Sequence, residues 1–189
     1  MNPLDILKKV WKYLKQDTWH SWLVSLIIAF VVIKYIFFPF LSFAFATELP
    51  LVVVESCSMY HKWDYDMWWN QRGTWYEIED IEKEDFERFS FSSGLNKGDI
   101  ILVSGRGSKE VGDIIIFKSS FKYPLIHRLV DLDPISTKGD NNFDQLPQER
   151  DIEEEDVLGE AVLRVPLLGW VKLIFFEAFR SESDRGFCK

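Results

Sequence analysis

The sequence is poor in the residue types from which several common kinds of site are built. Among its 189 residues are two cysteines, Cys57 and Cys188, which cannot make a disulfide framework or a cysteine-rich metal site. Three histidines leave little material for a histidine-rich metal site. Basic residues are also scarce, since 22 Lys and Arg face 30 Asp and Glu, a net charge of −8. A nucleic-acid-binding protein needs a basic face, so this class is excluded. Because cysteine and histidine are scarce, we also expect no metal or other cofactor.

Charge is almost absent from one long segment near the N-terminus. Of the 24 residues 22–45, 16 are Leu, Ile, Val or Phe, and Lys34 is the one charged residue. A helix of this length spans the hydrocarbon core of a membrane, which is about 30 Å thick. Sixteen strongly apolar side chains outweigh the cost of about 2.5–3.5 kcal/mol for a central lysine. We therefore predict a transmembrane anchor over residues 22–46, kinked or ended in its outer third by Pro39.

The charges that flank the apolar segment predict its orientation. Residues 1–21 carry a net charge of +2, whereas residues 48–189 carry 17 basic and 28 acidic side chains. Positive flanks stay in the cytoplasm, so we predict a single-pass protein of the cell membrane with residues 1–21 inside and 48–189 outside. A cleaved signal peptide ending at Ala44-Phe45-Ala46 is the alternative. The apolar stretch, however, is about twice as long as a usual signal-peptide core.

The part after the anchor alternates short apolar runs with turn residues, a pattern typical of buried strands. The runs are residues 51–54, 100–103, 114–117, 125–130 and 161–165. Residues 62–96 differ, because four tryptophans fall within 13 positions and an acidic run follows them. We expect a small helical insertion that packs on the sheet, with a flap near the bilayer as the alternative. Residues 167–179 are apolar but too short to span, and could equally lie in the membrane surface or complete the core.

Residues suited to nucleophilic catalysis stand beside or within the predicted strands. Ser58 follows the first strand and His127 lies within the fourth, while Asp140 and Asp144 follow in a loop rich in Gly and Asn. A serine nucleophile needs a base within hydrogen-bond reach and a third group that holds the base in the correct tautomer. These residues are 69 and then 13 or 17 positions apart, so only the fold can bring them together.

Five segments, in this order, resemble the sequence boxes of the type I signal peptidase family. Glu55-Ser56-Cys57-Ser58-Met59 resembles the nucleophile box, and Ile126-His127-Arg128-Leu129-Val130 resembles the box of the general base. Residues 97–103 and 112–118 resemble the two middle strand boxes, and residues 137–142 resemble the final box. Bacterial members have a lysine where this chain has His127. The chain therefore resembles the archaeal and endoplasmic-reticulum branch, which uses Ser, His and Asp.

The resemblance implies a mainly β, signal-peptidase-like sheet domain with an N-terminal transmembrane helix. It implies a membrane-anchored serine endopeptidase that removes signal peptides from exported preproteins. Ser58 would be the nucleophile and His127 the general base, while the hydroxyl of Ser56 and the backbone N–H of Ser58 would hold the oxyanion. The preprotein would bind as an extended strand along the edges formed by residues 51–55 and 113–117. The lipid bilayer and the secretion translocon are the further partners that we expect.

The sequence departs from the family pattern at three positions. His61 replaces a usual proline and offers a second base near Ser58, although its place in the same turn predicts poor geometry. Cys57 replaces a usual glycine and places a thiol beside the nucleophile.

The third departure concerns the acid. The family's aspartate lies six residues after Asp140, where this chain has Leu146. Asp144 is the nearest carboxylate and our first choice for the group that orients His127, with Asp140 as the alternative.

Two other functions match part of the pattern. A catalytically silent, membrane-tethered binding module could keep the same fold. Such a module, however, has no reason to retain Ser58, His127 and a nearby aspartate together. A self-cleaving repressor-type protease would need a lysine where His127 stands.

Overall fold

The computed structural model describes residues 2–189, and Met1 of the predicted cytoplasmic segment lies outside them. The chain divides into two compact units, residues 1–44 and residues 45–189. The first unit contains helix α1 (Pro3–Leu14), which begins at Asn2, whose side chain accepts the N–H of Leu4. Helix α2 (Trp19–Val32) follows and begins at Thr18, whose hydroxyl accepts the N–H of Ser21. Both helices therefore start with the side-chain caps that N-terminal backbone donors require.

The apolar segment forms a continuous helix from Trp19 to Phe45, 27 residues that are long and apolar enough to cross a membrane. This confirms the predicted apolar helix, which begins three residues earlier than expected. Within it, α2 passes into a π-helical turn (Ile33–Phe37) and then into α3 (Phe38–Phe45). The helix does not end at Pro39, because the π-helical turn changes the hydrogen-bond register just before the residue that lacks an N–H.

The second unit is built on one antiparallel sheet of six strands, in the order β1-β2-β6-β3-β4-β5. The strands are β1 (Leu51–Val53), β2 (Ile100–Ser104), β3 (Ile114–Phe117), β4 (Leu125–Leu132), β5 (Ile135–Lys138) and β6 (Val157–Val165). All five apolar runs lie in strands, which confirms the mainly β fold. Strand β5 was not predicted, because its residues 136–138 are polar and become buried only through long-range packing.

The tryptophan-rich insertion is helical and packs against the sheet. It contains α4 (Tyr65–Ile78) and α5 (Lys83–Phe86). Trp68, Trp69, Tyr76 and Phe86 form a buried cluster with Val130 of β4. This arrangement corresponds to the packed insertion that we expected rather than to an open flap.

The C-terminal part returns to the start of the sheet. It contains the short helix α6 (Trp170–Leu173) and two 3₁₀ turns, Glu177–Phe179 and Glu182–Asp184. Cys188 forms a disulfide with Cys57, across a sequence separation of 131 residues. Two cysteines are too few for a framework, but this one bond ties the end of the chain to the residue before Ser58.

Candidate active site

The fold brings Ser58 and His127 into direct contact. The Oγ atom of Ser58 lies 2.8 Å from Nε2 of His127. Ser58 follows β1 in a turn that is anchored by the next residue, Met59, whose side chain is fully buried in the core. His127 is buried in β4, so a strand holds the histidine, and a turn anchored by a buried side chain holds the serine.

The loop after β5 fixes the turn that carries Ser58. The backbone N–H of Asn141 donates to the carbonyl of Ser58 (2.7 Å), and its side-chain amide donates to the carbonyl of Cys57 (3.0 Å). Arg72 of the insertion donates in turn to the carbonyl of Asn141 (2.9 Å). The insertion therefore helps to position the nucleophile, through one intermediate residue.

A carboxylate lies against the other ring nitrogen of His127, and it belongs to Glu149. Oε1 of Glu149 lies 2.5 Å from Nδ1 of His127, at an angle that is not that of a straight hydrogen bond. Both side chains are buried, with exposed fractions of 2% and 0%. Glu149 also accepts the N–H of Leu146 (2.6 Å) and the hydroxyl of Thr137 (3.3 Å). Two neutral donors thus hydrogen-bond a carboxylate that would otherwise be costly to bury, and the imidazole lies against it at ion-pair distance.

Asp144 was expected at this position, and that placement is wrong. Its side chain is exposed and accepts hydrogen bonds from the indole N–H of Trp75 (3.2 Å) and the N–H of Gln145 (2.7 Å). These two bonds, the backbone one first, lower the pKa of Asp144. Among residues 2–189, the carboxylate within ion-pair distance of the His127 ring is that of Glu149.

The alternative, Asp140, does not orient His127 either. It is fully buried, and its two oxygens accept hydrogen bonds from Arg128 (2.8 and 3.0 Å), from Tyr76 (2.9 Å) and from Nε2 of His61 (2.9 Å). Burial by itself would raise the pKa of Asp140, but the charge of Arg128 and the bonds from His61 and Arg128 hold it well below its usual range. Asp140 is the centre of a buried polar network that joins the loop, β4 and the insertion.

The two residues that we considered as competing groups near Ser58 are both engaged elsewhere. His61 is buried with its ring stacked on Trp68, the ring centroids 3.6 Å apart, and its Nε2 points to Asp140. Burial lowers the pKa of His61, although Asp140 opposes that shift. Cys57 is in the disulfide and has no free thiol.

Comparison with known proteins places this geometry in context. No family model matches the chain. It is 30% identical over 103 residues to the signal peptidase complex catalytic subunit sec11 of Sclerotinia sclerotiorum. The identities to the SEC11 subunits of Metarhizium robertsii and Fusarium vanettenii are 28% and 26%, also over 103 residues. The chain is a distant homologue of signal peptidase catalytic subunits. The match covers 47% of this chain and 60% of each relative, so the chain spans less than two thirds of the length of the SEC11 proteins.

The hydroxyl of Ser56, which the sequence analysis expects to bind the oxyanion, lies next to Ser58. The Ser56 hydroxyl is exposed, and its Oγ lies 3.1 Å from Oγ of Ser58. A hydroxyl at this distance can turn toward an oxygen that is bound beside the serine.

Close packing around His127 explains a glycine in the loop after β5. A Cβ atom on Gly139 would lie 2.9 Å from Nε2 of His127. Lys138 holds the same loop, since its buried Nζ donates to the carbonyls of Gly139 (3.2 Å) and Asn142 (2.8 Å). Burial lowers the pKa of Lys138 to about 8, against the opposing charges of Asp140 and Glu149.

The strand edges that are open near Ser58 are only in part the ones at which we expected the substrate to bind. Within residues 2–189, strand β1 pairs with β2 alone, so its other side is open, as expected for residues 51–55. The expectation for residues 113–117 is wrong, because β3 is paired on one side with β6 and on the other with β4. Beside His127, the open stretch is instead the first part of β4, residues 125–127, since β5 pairs with β4 from Arg128 onward.

Glu149 is the site residue that the sequence analysis missed. It lies nine positions after Asp140. We assumed that the loop is shorter than in the family, and therefore considered only carboxylates closer to Asp140 than this. The 3₁₀ turn Pro147–Glu149 carries it back to the sheet. A proline that opens a turn ahead of a glutamate was the available signal, because proline is favoured at the first position of helical turns.

Proposed function

We propose that the chain is a membrane-anchored serine endopeptidase that removes signal peptides from preproteins. The observation that carries the proposal is the line of contacts from Ser58 Oγ through the ring of His127 to the carboxylate of Glu149. Nucleophile, base and orienting acid in this order are the arrangement of serine hydrolases. The names of the SEC11 relatives support the choice of signal peptides as the substrate class.

The reaction that suits this geometry is acyl transfer. His127 takes the proton of the Ser58 hydroxyl through Nε2 as Oγ attacks the scissile carbonyl, and then gives that proton to the leaving amine. Glu149 keeps the proton on Nδ1 and stabilises the imidazolium that forms. The Ser56 hydroxyl and the Ser58 N–H hold the oxyanion, and one such donor is worth about 3–4 kcal/mol in the transition state. Water then enters, and His127 activates it to release the acyl group from Ser58.

The substrate binds as an extended strand between the open side of β1 and residues 125–127 of β4. Both edges end at a catalytic residue, since Ser58 follows β1 and His127 ends the open part of β4. A peptide that pairs with either edge passes its backbone over the serine. Main-chain hydrogen bonds supply the affinity in this mode, and shallow side-chain pockets supply the specificity.

The active site faces the side of the membrane opposite to the N-terminus. The net charge of +2 in residues 1–21 supports a cytoplasmic N-terminus by the positive-inside rule. The disulfide Cys57–Cys188 supports the same orientation, because disulfides persist in oxidising compartments outside the cytosol. The relatives are named as subunits of a complex, so we expect partner subunits, and the secretion translocon as a neighbour.

The test is cleavage of a preprotein by the full chain reconstituted in liposomes. Ser58→Ala and His127→Ala should each lower kcat by a factor on the order of 10⁶, as the loss of a serine-protease nucleophile or base does. Ser93→Ala changes an exposed serine of the insertion and is the matched control, with activity unchanged.

Cleavage by Ser58→Ala at the wild-type rate would exclude Ser58 as the nucleophile. A wild-type chain that binds signal peptides in liposomes but never cleaves them would point to the tethered binding module instead.

A further inference from the structure

The end of the chain lies beside the proposed nucleophile. We call residues 180–188, which follow the apolar segment 167–179, the C-terminal strap. Its last residue, Cys188, forms the disulfide with Cys57, and the two Cα atoms are 5.6 Å apart. Because Cys57 directly precedes Ser58, the strap stays close to the active site as long as this bond is intact.

The strap contacts Glu55, the last residue of the expected substrate edge. Nη1 of Arg180 donates to the backbone carbonyl of Glu55 (3.0 Å), and Nη2 of Arg180 lies 2.5 Å from the Glu55 carboxylate. Lys172 pairs with the other oxygen of the same carboxylate at 2.8 Å. Burial by itself would raise the pKa of Glu55, but the hydrogen bonds and charges of Lys172 and Arg180 lower it. The carboxylate therefore stays ionised, and it holds the guanidinium beside the Glu55 carbonyl.

The pairing of β1 with β2 shows which side the Glu55 carbonyl faces. Both backbone groups of the preceding residue, Val54, are directed to the β2 side. The Val54 N–H donates to the carbonyl of Asp99 (2.9 Å), and the Val54 carbonyl accepts the N–H of Gly98 (2.8 Å). Successive residues of an extended chain direct their backbone groups to opposite sides. The Glu55 carbonyl therefore faces the open side, where the substrate strand would pair.

We propose that the C-terminal strap competes with the substrate, because Arg180 holds a backbone acceptor that a bound signal peptide would use. The inference rests on the proposed function, since it takes the open side of β1 as the substrate edge. A substrate strand pairs by donating its backbone N–H groups to the carbonyls of that edge. The guanidinium of Arg180 occupies the carbonyl three positions before Ser58, so a peptide that reaches the nucleophile must displace it.

The strap is attached in a way that permits local opening. The carbonyl of Asp184 accepts a hydrogen bond from Lys97 (2.6 Å), and the ring of Phe187 packs on Trp170 with the centroids 4.5 Å apart. Phe187 is nevertheless 64% exposed, and no strap residue whose burial the structure describes is buried. Segments with few buried apolar contacts open at low free energy, without unfolding of the core. An incoming strand can therefore move the strap aside, within the distance that the disulfide allows.

Competition of this kind weakens the apparent affinity for the substrate. A site that is free in only a fraction of the molecules binds with an apparent Kd equal to the intrinsic Kd divided by that fraction. A strap that merely supported the turn of Ser58 would have the opposite effect, because its loss would loosen the site. The sign of the change in Kd thus distinguishes the two roles.

The test measures binding of a dye-labelled synthetic signal peptide to the full chain in liposomes, by fluorescence anisotropy. All variants carry Ser58→Ala, so that cleavage cannot remove the probe. Arg180→Ala should lower Kd by roughly threefold to tenfold, the range for loss of a partly exposed contact between charged groups. Arg88→Ala is the matched control, because Arg88 pairs with an exposed carboxylate of the insertion, and its Kd should equal that of the parent chain.

Opening of the disulfide is the second perturbation, since Cys57 and Cys188 are the two cysteines of the sequence. Cys188→Ser should also lower Kd, and a mild reductant should lower the Kd of the parent chain but not that of Cys188→Ser. Circular dichroism at the assay temperature checks that each variant is folded.

An unchanged Kd in both Arg180→Ala and Cys188→Ser would overturn the proposal. Weaker binding by folded Arg180→Ala would also overturn it, because the strap would then support the edge instead of competing for it. The binding assay does not depend on cleavage. Tighter binding by Arg180→Ala, together with no cleavage of a preprotein by the chain that retains Ser58, would support the competition and refute the peptidase activity.

Discussion

Replacement of Glu149 by glutamine is the sharpest perturbation of the proposed mechanism. The substitution keeps the size of the side chain and the acceptor that binds the N–H of Leu146 or the hydroxyl of Thr137. It removes the negative charge that lies 2.5 Å from Nδ1 of His127. It also allows an amide N–H to face Nδ1, which favours the tautomer that carries its proton on Nε2. That tautomer cannot accept the proton of Ser58.

The expected loss of kcat in Glu149→Gln is large because Glu149 and His127 are both buried. Because neither side chain is accessible to water, no solvent molecule can replace the carboxylate. An equivalent change in the Ser-His-Asp triad of serine proteases lowers kcat by about 10⁴, or roughly 5.5 kcal/mol in activation free energy. Glu149→Asp keeps the charge but withdraws it by about one C–C bond, about 1.5 Å, and should lie between wild type and Glu149→Gln.

The assay is single-turnover cleavage of a preprotein in liposomes, in which chemistry is separated from product release. Asp144→Asn is the matched control, because Asp144 is an exposed carboxylate of the same loop and its replacement should change the rate by less than about threefold. A loss of about 10⁴ in Asp144→Asn with little change in Glu149→Gln would refute the assignment and restore Asp144 as the orienting acid. Circular dichroism of both variants would check that the fold is kept.

Three further changes test the surroundings of the site. Asp140→Asn breaks a buried ion pair with Arg128 and should destabilise the fold by about 3–5 kcal/mol, seen as a lower Tm with residual activity in the folded fraction. The pKa of Asp140 is lower in the folded than in the unfolded state, so the ionised carboxylate stabilises the fold fully above the unfolded pKa of about 3.9. This stabilisation is lost as the pH falls below that value, and acid unfolding of the wild type and of Asp140→Asn would measure the loss. Gly139→Ala should lower both kcat and Tm, because in this buried loop the new Cβ would lie 2.6 Å from Nδ2 of Asn142 and 2.9 Å from Nε2 of His127, and wild-type kcat would contradict that packing. Cys188→Ser removes a link across 131 residues and should lower stability by about 2–5 kcal/mol, measured as a Tm difference that reducing agent abolishes.

The parts of the fold that the sequence predicted depend on local pattern. The apolar helix and the five apolar strands are continuous segments whose burial is visible in their own composition. Ser58 and His127 were found because each stands in or beside such a segment, within a recognisable box. Strand β5 and Glu149 were missed for the opposite reason, since each acquires its role only from the path of the loop between them.

Two departures from the family pattern are explained by partners that are distant in sequence. His61, in place of a usual proline, supplies a ring that stacks on Trp68 and a donor for Asp140, so it joins the insertion to the loop after β5. Cys57, in place of a usual glycine, is bonded to Cys188. Asp140 lies 79 positions from His61 and Cys188 lies 131 positions from Cys57, so no local pattern could have indicated either pairing.

The third departure concerns Leu146, which stands where the family has its catalytic aspartate. The backbone N–H of Leu146 donates to Oε2 of Glu149, and this bond turns the carboxylate so that the other oxygen meets His127. The position of the missing acid is therefore still used, but through its backbone, and in the proposed mechanism the acid is Glu149, three residues further along. A glutamate suits this arrangement better than an aspartate, because the longer side chain spans the distance from the 3₁₀ turn to the imidazole.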